Sequence, residues 1–432
     1  MKIIKQMILV TLFLILVASI ASAQGIPRAT SPEEVGLSEE RLQRISAWIQ
    51  TDVDKKVVPG AVAMVLRKGK IAYYEAFGYQ DREKNIPMTR DSIFRLASMT
   101  KPFTSLAIMM LAEEGKIQLP LPVSRYLPEL KDLKVGVENK DPAIGKVELV
   151  LETPGREMTV HDLLRHTSGL TYGFLGKSMV KDRYNAVKIN FDREQTNAEL
   201  VTKLSQLPLQ FHPGTAWDYS MSYDVLARIV EVISGVDFDT FVAERIVKPL
   251  KLTDTAFWVE GTERQARIAE PPIDPATGKR SPYIPDMTKR PKWISGGGGM
   301  VSTANDYVRF CLMFLNGGIL DGVRLVSRKT IEHMTSNHVP PGYKYVQLQI
   351  GWPPPSLETG QGYGLGFGIN CEPQRSPLPG SKGAYYWDSA YGNSFFVDPK
   401  EHLIAILMMQ APRQGLPYQY RMRHFVYQAI WD

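Results

Sequence analysis

The chain has 432 residues, 44% of them hydrophobic and 22% charged. That is enough apolar surface for one large core or two closely joined ones, and it lacks the bias of a disordered chain. A formal charge of +6 from scattered basic residues, with no nucleic-acid motif, reads as ordinary solubility and not as a polyanion-binding surface.

Taken in order, residues 1–23 carry Lys2 and Lys5, an apolar stretch from Met7 to Ile20, and small residues Ala21, Ser22 and Ala23 before Gln24. This pattern predicts a cleaved signal peptide and export to the periplasm or exterior, an uncleaved anchor being the other reading. No second run approaches membrane length, so no stable membrane insertion is expected once the leader is removed. "EERLQRISAWIQTDV" has the apolar spacing of a helix, and "AVAMVLRKGKIAYYEAFGYQD" reads as a hairpin turning near Lys68 to Lys70. At the far end, "GAYYWDSAYGNSFFVDPKEHLIAILMMQA" predicts two strands turned at Asp398-Pro399-Lys400, and "YQYRMRHFVYQAIW" a closing helix.

Strands near both ends, with helical material between them, predict an α+β fold. One antiparallel sheet is flanked by N- and C-terminal helices, with a mostly helical region inserted. The α/β region spans about 34–95 plus 290–432 and the helical region about 96–289, with the active site at their join. The stretches "EPPIDPATGKRSPYIPDMTKRP" and "VPPGYKYVQLQIGWPPPSLETGQG" are loops and candidate walls of a cleft. Cys311, in "VRFCLMFL", and Cys371, in "GINCEP", read as two buried free thiols, although an oxidising compartment would permit pairing.

The chemistry begins at "RLASMTKPFTS", where Ser98 precedes Lys101 by three residues. About one SxxK string is expected by chance in a chain of this size, and a second is present from Ser178 to Lys181. Context separates the two. Ser98 opens a run in which Leu106, Ala107, Met109 and Met110 predict a buried helix ending at Gly115, whereas Ser178 sits in the polar stretch "GKSMVKDRYN". On a helix, Lys101 would lie one turn from the Ser98 hydroxyl, and burial would lower its pKa so that it can accept a proton. The helix N-terminus would let the Ser98 amide serve as half of an oxyanion hole. The alternative is that Ser98 merely caps the helix.

Five segments in order, "FRLASMTKPFTS", "LLRHTSGLTYG", "HPGTAWDYSMSYDVLARIVEVISG", "GGGGMVSTANDYVRFCLMFLNGG" and "WDSAYGNSFFVDPKEHLIAIL", resemble the serine β-lactamase-like superfamily. That superfamily holds class C β-lactamases, penicillin-binding peptidases and family VIII carboxylesterases. The resemblance runs over roughly residues 34–432 and implies one serine hydrolase domain over 24–432, with Ser98 as nucleophile and Lys101 as base. Tyr219, ahead of a helical pattern through Leu226, Ile229, Val230 and Ile233, matches the family's tyrosine. With two cations nearby, its phenol pKa is expected to fall, so that it shares the proton work.

Where β-lactamases have YxN, this chain has Tyr219-Ser220-Met221, and where they have KTG it has Trp387-Asp388-Ser389-Ala390. Both departures are similar to the family VIII esterases. The resemblance implies that Met221, Trp387, Asp388 and Ser389 contact substrate and that the Ala390 amide completes the oxyanion hole. An aromatic wall and an acid in place of the lysine disfavour an anionic lactam and suit a neutral ester. The expected function is therefore an exported esterase acting on a small, short-chain ester or amide, without cofactor or metal. A β-lactamase, a D-alanyl-D-alanine carboxypeptidase and a silent penicillin-binding scaffold are the alternatives.

Other motifs carry less. No GxSxG occurs, which leaves an α/β-hydrolase unsupported. His161 and His166 lack zinc spacing, and His166 to Leu170 is expected to support the site. "TYGFLGKS" reads as a surface loop, and Gly296 to Gly299 as close backbone packing beside the site.

Overall fold

The computed structural model describes residues 25–432 except 275, 281–283, 341–342, 347–358 and 413. The expected signal peptide, and most of the loop from 339 to 362, therefore lie outside the described residues. One antiparallel sheet organises the chain. Its strands are β1 (Gly60–Arg67), β2 (Lys70–Asp81), β3 (Ile86–Pro87), β4 (Gln361–Tyr363), β5 (Gly368–Asn370), β6 (Tyr385–Asp388), β7 (Ser394–Asp398) and β8 (Leu403–Met409). Their order is β4-β5-β6-β7-β8-β1-β2-β3, so the two ends of the chain meet where β1 pairs with β8, Ala61 opposite Met409 and Arg67 opposite Leu403.

The central strands are apolar throughout because both faces of the sheet are covered. Val62, Met64 and Leu66 of β1, with Ile404, Ile406 and Met408 of β8, join the larger core, while the alternate residues Ala61, Ala63, Val65, Leu403, Ala405 and Leu407 join a second one. Helices α1 (Glu39–Asp54) and α5 (Gly415–Tyr427) cover that second face, Trp48 of the first lying 4.9 Å from Tyr418 of the second between ring centroids. The hairpin between β1 and β2 turns at Lys68 and Gly69, both with positive φ, as the sequence predicts. The C-terminal stretch departs from expectation: it forms three strands, not two, because Tyr385–Asp388 pairs with β7 ahead of the predicted turn.

The opposite face carries α2 (Lys101–Glu113), α3 (Ser222–Ser234) and α4 (Ala304–Leu315). Every residue of α2 from Lys101 to Leu111 is buried, and Phe103 stacks on Phe310 of α4 at 3.8 Å. The helix stops where expected, at Gly115, whose φ of +72° suits a residue without Cβ. Both cysteines are free; Cys311 is buried, but Cys371 is only partly so. Among the described residues, no helix is long and apolar enough to cross a membrane.

Candidate active site

Ser98 sits where the sheet region meets α2. The short strand Phe94–Arg95 pairs with Val301–Ser302, and the Leu96 amide donates to the Met300 carbonyl at 2.8 Å, which anchors the approach. Ala97 then takes a φ of +43°, left-handed backbone that costs an alanine on the order of 1 kcal/mol and re-aims the chain. Ser98 follows in a 3₁₀ turn, Ala97–Thr100, so it precedes α2 and does not lie on it as the spacing alone suggests. Lys101, the first residue of α2, still falls one turn away. Ser98 is partly exposed, and its hydroxyl caps nothing.

The Ser98 hydroxyl is held from two sides. The Lys101 amine lies 3.3 Å from Oγ, and the Tyr219 phenol donates to Oγ at 2.7 Å. Lys101 is 1% exposed and donates to the Gly297 carbonyl at 2.8 Å. Burial pulls its pKa down to about 7, against the attraction of the Asp224 and Asp388 carboxyls. An amine with that pKa is substantially neutral at neutral pH and offers a lone pair to the serine proton. The glycine run supplies the room. A Cβ on Gly296 would come within 2.4 Å of the Tyr223 carbonyl oxygen, and one on Gly297 within 2.9 Å of Asp224 Oδ2.

Tyr219 departs from expectation. Its phenol pKa is raised, because burial outweighs the lowering effects of its hydrogen bond to Ser98 and of the neighbouring Trp387 indole. Among the described residues, the one cationic side chain in contact, Lys101, lies 4.5 Å over the ring face and not at the oxygen. Tyr219 is therefore a protonated donor. The phenol proton points at Ser98, to which Tyr219 donates, and the Trp387 ring packs 5.7 Å from the Tyr219 ring. With Lys101 neutral, the chain of donors runs from the Tyr219 phenol to the Ser98 hydroxyl and then to the Lys101 amine. His166 backs this arrangement. Its ring lies 4.6 Å from that of Tyr219, its Nδ1 accepts from the Ser220 amide at 3.3 Å, and burial keeps it neutral.

The residues expected to contact substrate divide differently. Trp387 is 3% exposed and packs its ring 5.7 Å from Tyr219 and 5.1 Å from Tyr363, so it braces the tyrosine instead of forming an open wall. Strand alternation turns Asp388 to the face that α5 covers, where burial holds its pKa well above the usual range against the pull of Arg423 and of Lys101, with Tyr219, Tyr386 and Tyr420 also within its field. Ser389 is 1% exposed, and its hydroxyl accepts from the Tyr391 amide at 3.0 Å and the Asn393 side chain at 3.2 Å. Met221 is fully buried in the larger core. Ala390, the expected second oxyanion donor, lies exposed in the turn after β6.

Four residues that the sequence analysis did not single out also build the site. Asp224, one helical turn past Tyr219's loop, accepts from Ser295 at 2.6 Å and from the Gly297 amide, which positions the carbonyl that holds Lys101. Tyr172 lies 5.5 Å from Tyr219, and the Lys101 amine is 5.9 Å from its ring centre. The Tyr223 ring lies 5.6 Å from the same amine. Asn393, fully buried, donates to the Arg95 carbonyl at 2.8 Å and accepts from the Met409 amide at 2.8 Å, tying the Ala390 turn to the segment that leads into Ser98.

The second SxxK string makes no such site. Ser178 caps a helix by accepting from the Lys181 backbone amide, and its hydroxyl donates to Gln210. Lys181 is not a surface residue as the polar context suggests; it is 4% exposed, with its amine on the Leu175 carbonyl. Among the described residues, no group of three or more His, Cys, Asp or Glu is placed to hold a metal.

The Beta-lactamase family profile matches residues 45–424. Esterase EstB of Burkholderia gladioli is 30% identical over 406 residues, covering 89% of this chain and 94% of its own. Protein Rv1367c of Mycobacterium tuberculosis is 34% identical over 368 residues, 84% of this chain and 88% of its own. Among solved structures, EstCE1, described as a hydrolase with promiscuous acyltransferase activity, superposes with a TM-score of 0.69 at 25% identity, covering 90% of this chain and 99% of its own.

Proposed function

We propose that this chain, which belongs to the beta-lactamase family, is an exported esterase that cleaves small carboxylic esters through an acyl-enzyme on Ser98. The observation that carries the reading is the partly exposed Ser98 hydroxyl held between the fully buried Lys101 amine and the Tyr219 phenol. In the first half-reaction, Lys101 takes the Ser98 proton as Oγ bonds to the ester carbonyl carbon. The Ser98 and Ala390 amides receive the developing negative charge. The carbon–oxygen bond to the alcohol then breaks. Tyr219 gives the leaving alkoxide its proton and is reprotonated from Lys101. Water attacks the acyl-enzyme by the same steps in reverse.

Two features support an ester over an anionic lactam. Uncharged Trp387 occupies the place where lactam-cleaving relatives are expected to carry a lysine, and EstB is named an esterase. Export rests on residues 1–23 and is tested by N-terminal sequencing of the protein recovered outside the cytoplasm.

The decisive experiment compares short-chain ester hydrolysis with hydrolysis of a chromogenic cephalosporin and a D-alanyl-D-alanine peptide, alongside labelling by a fluorophosphonate. Wild type is expected to prefer the ester and to label. Ser98→Ala should lose labelling and several orders of magnitude in rate. Efficient cephalosporin or peptide turnover with little ester hydrolysis would overturn the substrate class, and labelling that survives in Ser98→Ala would overturn the nucleophile.

A further inference from the structure

We propose that Phe174 and Phe191 form an aromatic lip that binds the alcohol portion of ring-bearing esters; this rests on the esterase reading above. A ladder of rings runs outward from the site. Tyr219 and Tyr172 lie 5.5 Å apart, Tyr172 and Phe174 5.1 Å, and Phe174 and Phe191 5.6 Å, all tilted. Exposure climbs along it, from 7% and 9% at the two tyrosines to 50% at Phe174 and 40% at Phe191. Two neighbouring phenyl rings left about half in water, at the outer end of a ladder that starts at Tyr219, form an apolar contact surface of the kind that marks a binding site.

The backbone holds this surface in place. The Gly173 carbonyl accepts from the Asn185 side chain at 2.9 Å, and the Gly173 amide donates to the Asn190 side chain at 3.2 Å, which ties the Phe174 loop to the segment that leads to Phe191. The Phe191 amide in turn donates to the Lys188 carbonyl at 2.9 Å. A pinned lip loses little conformational freedom when a ligand ring lands on it.

The side of the substrate follows from the proton path. Tyr219 is the donor to the departing alkoxide, so the alcohol leaves from beside the ring at which the ladder begins. Rings continuing outward from Tyr219 flank the alcohol and not the acyl group.

The test uses esters that share one acyl-enzyme. For benzyl acetate against ethyl acetate, both followed by pH-stat, wild type is expected to show the higher kcat/KM on the benzyl ester. Phe174→Leu and Phe191→Leu keep apolar volume without a ring, and each should lower kcat/KM for benzyl acetate about three- to tenfold while leaving ethyl acetate within about twofold. Thermal melts and unchanged ethyl acetate turnover report that the variants fold. Equal losses on both esters, no loss on either, or a loss confined to methyl phenylacetate, whose ring lies on the acyl side, would each overturn the lip while leaving the esterase reading intact. Wild type that hydrolyses none of the three would overturn both.

Discussion

Replacing Lys101 with Met is expected to abolish ester turnover and yet raise stability. Methionine has nearly the same length, so the packing of α2 is largely preserved. The wild-type amine is taken from an ordinary pKa of 10.5 to about 7 by burial. Holding it in the folded state at pH 7 therefore costs about 4 kcal/mol at roughly 1.36 kcal/mol per pKa unit. Removing it strands the Gly297 carbonyl, which costs about 1–3 kcal/mol. The net gain of about 1–3 kcal/mol, divided by an unfolding entropy of about 2 cal/mol/K per residue over some 400 residues, gives a rise in Tm of about 1–4 °C. The pH dependence has a definite sign. The folded-state pKa lies below the unfolded one, so the unfolded chain binds the extra proton between about 7 and 10.5; the wild-type penalty is complete below pH 7 and gone above about 10.5. Scanning calorimetry at pH 7 and pH 9.5 should find the advantage of Lys101→Met shrinking at the higher pH. A variant less stable than wild type by the same amount at both pH values would refute the desolvated amine.

The same amine sets the rate profile: kcat/KM should fall about tenfold per unit below pH 7 and level off above it, and a midpoint near 10 would mean that the base is another group. Asn393→Ala cuts the tie between the Ala390 turn and the Arg95 carbonyl; kcat should drop about 10- to 100-fold with KM within threefold, as expected when oxyanion donors lose alignment, and a change in KM alone would count against that role. Trp387→Lys should raise kcat/KM for a carboxylate-bearing lactam about tenfold relative to a neutral ester, with the gain shrinking in added salt; a salt-insensitive gain would show that charge is not its cause.

What could be read in the sequence followed from local pattern. The pairing of Ser98 with Lys101, the helix behind them and the meeting of the chain's two ends in one sheet all rest on short spacings and apolar runs. The errors have one source, which is orientation. Asp388 stands next to Trp387 in sequence, but a strand turns successive side chains to opposite faces, so it lies near Arg423 on the face that α5 covers and reaches the site through its charge on Lys101. The motif predicts a Tyr219 acidified by nearby cations, and only the folded structure shows that Lys101 lies over its ring and that burial dominates. Asn393 carries no motif; its three bonds join Arg95, Ser389 and Met409, a convergence that no spacing announces.

The exchange of lysine for tryptophan at position 387 changes more than the affinity for anions. A lysine there would place a second cation close to a buried amine that must give up its own proton, and would drive the Lys101 pKa lower still. It would also make the Tyr219 phenolate accessible, since a positive neighbour favours the charged form. Trp387 supplies an uncharged ring packed 5.7 Å from that of Tyr219, and the phenol keeps its proton and donates it to Ser98. At rest the tyrosine is a protonated donor, and in the proposed acylation step the base is Lys101, whose pKa is set by burial against Asp224 and Asp388. A cleft organised in this way holds its nucleophile through neutral donors. That arrangement suits a neutral ester whose only developing charge is the oxyanion, and it leaves substrate preference to surfaces further out, where Phe174 and Phe191 stand.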